Sequence, residues 1–64
     1  MTIKFLVSKL SDNTVIEIKT KISGLTFLLE RVTAASVHLS NSRFYDNTIV
    51  EDFRLEGSNF TIFI

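Results

Sequence analysis

Ile3, Phe5 and Val7 fall on one parity of the chain and Lys4 on the other, the period-two alternation of a half-buried strand. The same alternation returns after Ser11-Asp12-Asn13-Thr14, a run of turn-forming residues, so residues 2 to 10 and 14 to 22 read as a β-hairpin. In that register Ile3, Phe5 and Val7 lie opposite Ile22, Thr20 and Ile18, and the other face carries Lys4, Leu6, Glu17, Lys19 and Lys21.

Ser23-Gly24 interrupts the pattern, and from Leu25 the apolar spacing lengthens. Leu25, Leu28, Leu29, Val32, Ala35 and Leu39 follow the three-four spacing of one helix stripe, which predicts a helix from about Leu25 to Ser36. From Val37 the chain reads as strands again, with turns at Asp46-Asn47-Thr48 and Glu56-Gly57-Ser58-Asn59. Gly57 at the first central position suits a type II′ turn, which pairs Leu55 with Phe60 and Phe53 with Ile62 on one face. The element order is then ββαβββ. The expected fold class is α+β, a small antiparallel sheet with one helix packed on one face. The alternative is an all-β barrel or sandwich, in which residues 25 to 34 form another strand.

Composition agrees with a β-rich core. Ile, Val and Thr supply 19 of the 64 residues and Ala only two, while six are Phe. A chain of this length forms one domain, 1–64, and buries only ~60% of the surface its unfolded form exposes, so it depends on an efficient core or on another chain. There is no Cys for a disulfide or a thiolate zinc site, and one His is too few for the usual imidazole ligand sets, so no cofactor or metal is expected.

Enzyme signatures are absent: no nucleophile elbow, no glycine-rich phosphate loop, no dinucleotide fingerprint and no paired-His motif. His38 and Ser40 share a strand parity but have no third orienting group, and Glu51 and Asp52, as strand neighbours, point to opposite faces. A non-enzymatic role is the expectation. No signal-peptide core or membrane-spanning stretch is evident, which points to an intracellular, cytoplasmic setting without membrane contact. Asn59-Phe60-Thr61 matches a glycosylation sequon, read here as a chance match beside a turn.

Charge is unevenly spread although the total is zero: residues 1 to 23 carry +2 and residues 46 to 64 carry −3. The alternating strands also leave Leu6, Val15, Val50 and Phe63 on the sheet face away from the helix, and Phe27 has no core position. A single helix covers one sheet face only, and an apolar excess on the other marks contact with another chain. The expected function is therefore a protein-interaction module, plausible as a homodimer. As an inhibitor or adaptor, of the small motif-free type that phages and mobile elements encode, it would occlude or bridge a partner surface. Leu6, Val15, Phe27, Val50 and Phe63 would make the contact and Lys19 and Lys21 the polar rim. Two alternatives remain. One is a nucleic-acid binder using Lys4, Lys19 and Lys21 with Phe44 or Tyr45 as stacking groups. The other is a structural subunit that assembles with itself.

Overall fold

The computed structural model describes all 64 residues. Thr2 opens the first element: its backbone is extended and its hydroxyl accepts from the Phe5 N–H, capping α1 (Ile3–Val7). β1 (Val15–Ile22) turns through Ser23-Gly24 into β2 (Leu25–Thr33). Thr33 ends β2 and at the same time caps α2 (Ala34–His38), and Ser42 caps α3 (Arg43–Asn47). β3 (Asp52–Glu56) and β4 (Asn59–Phe63) follow.

The strands form one open sheet in the order β2-β1-β4-β3. Its two hairpins are antiparallel, while β1 and β4 run parallel in the centre, with Ile16 beside Phe60 and Ile18 beside Ile62. Those four side chains form the inner face. Against them pack Ile3, Leu6 and Val7 of α1, Ala34 and Val37 of α2 and Tyr45 of α3, with Leu10, Val32, Val50 and Ile64 partly buried at the margin. Each helix has only five residues, too short to hold without tertiary support, so burial on the sheet is what keeps it helical.

The α+β class is as the hydrophobic pattern implied and the sheet is not closed into a barrel, but three short helices in the order αββααββ stand where one helix was expected. The elements themselves are redistributed. Residues 3 to 7 form a helix because Ile3, Leu6, Val7 and Leu10 also satisfy the three-four spacing, and Thr2 supplies a cap; the strand partner of β1 on that side is β4. Residues 25 to 33 form a strand; only 34 to 36 of the expected helix are helical, and α2 runs on through Val37 and His38, where a strand was expected. Asp46 and Asn47 belong to the last turn of α3. The parallel β1–β4 pair makes the sheet mixed, where an antiparallel one was expected. The type II′ turn is present: Gly57 has φ 64° and Ser58 is not positive, with Leu55 opposite Phe60 and Phe53 opposite Ile62.

Candidate interaction surface

β1 and β2 outrun the rest of the sheet. β4 stays in register with β1 only as far as Lys19, after which Thr20–Ile22 and Leu25–Leu28 continue as a two-stranded arm. Ser23 and Gly24 both have positive φ, 53° and 79°, the geometry of a type I′ turn whose twist matches the strands it joins. A β-bulge sits at the root of the arm, where Ile18 faces Glu30 and Lys19 faces Leu28, leaving Leu29 as the extra residue. The bulge shifts the side-chain parity of β2. Val32 and Glu30 lie on the helix side above it, and Phe27 and Leu25 lie there below it, opposite Thr20 and Ile22.

No helix reaches this end of the sheet. Of twelve large hydrophobic side chains left exposed, five lie on the arm, counting the bulge at its root: Ile22, Leu25, Phe27, Leu28 and Leu29, each about half open to solvent. Lys19 and Lys21 project from the opposite face of the arm. The second open edge, β3, exposes Phe53 and Leu55 on the helix side and Asp52, Arg54 and Glu56 on the other.

The sheet face without helices is polar. Glu17 on β1 and Arg31 on β2 are cross-strand partners joined by an ion pair, and the Arg31 guanidinium bond holds the Glu17 carboxyl below its ordinary value. Arg54 approaches Asp52 at 3.6 Å. Phe63, half-buried on this face, lies between the Arg54 guanidinium at 5.1 Å and the Lys21 ammonium at 5.5 Å from its ring centre. Beside it is a depression of about 100 Å³ lined by Lys21, Glu51, Asp52, Arg54, Phe63 and Ile64. Small-molecule pockets are typically several times larger and mostly apolar.

The residues expected to make one apolar contact face are thus divided. Leu6 is 7% exposed and belongs to the core, because residues 3 to 7 are helical and turn it inward. Val50 packs against the same core. Val15 and Phe63 lie on the polar face, Phe27 on the arm, and Lys19 and Lys21 flank the arm as a rim. Pattern reading missed Ile22, Leu25, Leu28 and Leu29. Five apolar residues within the eight positions 22 to 29 are their signal, but Leu25, Leu28 and Leu29 also fit a helix stripe and Ile22 a hairpin position opposite Ile3.

The nucleic-acid set does not gather. Lys4 is on α1, where its ammonium donates to the His38 and Ser40 carbonyls, and so is not opposite Lys21. Tyr45 is buried, with its hydroxyl donating to Glu30, and the Phe44 ring packs beside it at a tilt of 57°. His38 and Ser40 also part: the imidazole faces Asp12 and the Val7 carbonyl, and the Ser40 hydroxyl accepts from the Ser42 N–H. No group of three or more His, Asp and Glu side chains converges, and no helix is long and apolar enough to cross a membrane.

Comparison with protein-family models, with curated proteins and with solved structures gives no match to this chain. Its surfaces carry the functional argument.

Proposed function

We propose that this chain is an intracellular, non-enzymatic protein-interaction module that docks through the β1–β2 arm, acting as an inhibitor or adaptor by covering part of a partner's surface. The observation that carries this reading is the arm itself, five exposed apolar side chains on a two-stranded projection that the helices leave uncovered. Solvent-exposed apolar clusters of this kind are costly to keep in water and are characteristic of surfaces that meet another chain. Phe27 is the aromatic anchor, with Ile22 and Leu25 beside it on one face and Leu28 on the other. Lys19 and Lys21 favour a partner whose groove is apolar with an acidic margin.

The experiment is affinity capture from the native cell extract with three baits. The wild-type chain and Leu39→Ser, which removes an 85% exposed hydrophobe outside the arm at the end of α2, recover the same protein in stoichiometric amount. Phe27→Ser combined with Leu25→Ser loses it while circular dichroism stays unchanged. Recovery that is indifferent to the arm substitutions overturns the reading.

A further inference from the structure

The edge of the sheet opposite the arm carries its own complementarity. Counting from the Glu56–Asn59 pair that closes the two-residue turn, Glu56, Arg54 and Asp52 direct their main-chain groups toward β4, and Leu55 and Phe53 direct theirs outward. The two outward N–H groups are not equivalent. The Phe53 N–H is already bonded to the Asp52 carboxylate at 2.9 Å, whereas Leu55 has no such cover. Leu55 is also 70% exposed, the most exposed apolar side chain in the sheet, beside Phe53 at 45%.

The charges of β3 select a partner and a register. Two copies of β3 aligned antiparallel about Arg54 would set Arg54 against Arg54 and Asp52 against Glu56, all like charges. A shift of the two-fold axis by one residue, to Leu55, sets Arg54 of each copy against Glu56 of the other, and Leu55 against Leu55. The equivalent shift toward Phe53 is obstructed. Its central pair rests on the Phe53 N–H that Asp52 occupies, which the Leu55 register meets only at its ends opposite Gly57, and it runs the partner strand along Val50 and Glu51, whose N–H groups are bonded to Met1 and Phe63.

We propose that β3 is a self-association edge, pairing antiparallel with β3 of a second copy about a two-fold axis through Leu55, with reciprocal Arg54–Glu56 pairs on the polar face and a Phe53–Leu55 cluster on the helix face. The contact is isologous and joins two four-stranded sheets into one of eight, with all six helices on the same side. The arms then project from the two far edges of the dimer, since β2 is the opposite edge of each sheet. This inference stands apart from the arm reading: it uses the other edge and needs no foreign partner.

The test is sedimentation equilibrium of the purified chain over a concentration series. The wild type shifts reversibly from the 7.3 kDa chain mass to twice that value. Leu55→Lys, which touches only an exposed side chain and keeps the native dichroism, raises the dissociation constant at least about tenfold, because it puts two like charges face to face at the axis. Arg54→Glu has a similar effect, and Arg54→Glu combined with Glu56→Arg restores association to within about threefold of wild type. The double variant also answers the concern that Arg54→Glu acts by losing the Phe63 stack, since it lacks that stack as well. A chain that is monomeric up to millimolar concentration overturns the proposal. So does a dimer that is indifferent to Leu55→Lys or one that Phe27→Ser dissociates instead.

Discussion

Lys4 and His38 each donate to the C-terminal end of the other's helix. The Lys4 ammonium reaches the carbonyls of His38 at 3.3 Å and Ser40 at 2.7 Å, and the His38 imidazole reaches the Val7 carbonyl at 2.8 Å. The C-terminal ends of helices carry carbonyls without intrahelical partners and partial negative charge, which favours a cation there, although the Val7 carbonyl also accepts from the Leu10 N–H at 2.9 Å. Because each cap comes from the neighbouring helix, α1 and α2 are fixed to one another as well as to the sheet. Lys4→Met keeps the aliphatic stem and removes the donors. The expected loss is about 1–2 kcal/mol in urea unfolding, with the same m-value. An unchanged midpoint would show that water caps the α2 carbonyls equally well.

The same junction makes stability depend on pH. A carbonyl oxygen only accepts, so Nε2 of His38 carries a proton toward Val7, while Nδ1 faces the Asp12 carboxylate at 2.8 Å, which also wants a donor. Both demands are met only by the imidazolium. The Val7 bond and then Asp12 raise the His38 pKa above its ordinary 6.5, with desolvation and, less, Lys4 opposing. Since the folded value is the higher one, this contribution is complete below about 6.5 and is lost as pH climbs through the raised value. Glu17 behaves in the opposite sense. Its folded value lies below 4.5, so the Arg31 pair stabilises above 4.5 and fades as pH falls through the lowered value. Thermal midpoints measured against pH are expected to peak between these limits. His38→Gln flattens the alkaline limb and Glu17→Gln part of the acid limb; an alkaline limb that survives His38→Gln counts against the assignment.

Thr61 is 1% exposed on β4 and its hydroxyl has no hydrogen-bond partner. On the polar face it is flanked by Glu17 on β1 and Arg54 on β3. A buried hydroxyl without a partner costs more than a methyl group of the same shape. Thr61→Val is therefore expected to stabilise the chain by about 0.5–1 kcal/mol. Thr61→Ala, which leaves a gap instead, destabilises it. A destabilising valine would mean that the hydroxyl bonds an ordered water.

What could be read from the sequence divides along the sheet. The β3–β4 hairpin was legible in turn type and register, because Gly57 fixes the turn and both strands alternate regularly around it. β2 was not, for two reasons that compound. It is an edge strand whose arm is uncovered on either face, so burial imposes no alternation, and the bulge at Leu29 reverses parity midway. The leucines at 25, 28 and 29 then imitate a helical stripe. The first segment failed in the opposite sense. Ile3-Phe5-Val7 alternates, but Ile3-Leu6-Val7 is the set that is buried, and the Thr2 cap distinguishes the two. Because the contact face expected from the sequence was built on strand parity, Leu6 moved into the core when its segment became a helix.

The turn at the tip of the arm offers a direct test of how well the arm is formed. Ser23 sits at φ 53°, a left-handed conformation that a serine adopts at a cost and that asparagine tolerates better. Ser23→Asn is expected to stabilise by about 0.5 kcal/mol, while the β-branched Ser23→Val costs more than about 1 kcal/mol. Gly24, at φ 79°, separates strain from crowding, since a Cβ there meets no atom within 4 Å. The loss in Gly24→Ala, about 1 kcal/mol, is then backbone strain alone. Hydrogen exchange at Thr20, Ile22, Leu25 and Phe27 reports these changes locally: protection rises in Ser23→Asn and falls in Ser23→Val and Gly24→Ala. Equal protection in all four chains would mean that the arm is already frayed at its tip, and that the cross-strand pairs Ile22–Leu25 and Thr20–Phe27 form only when something covers them.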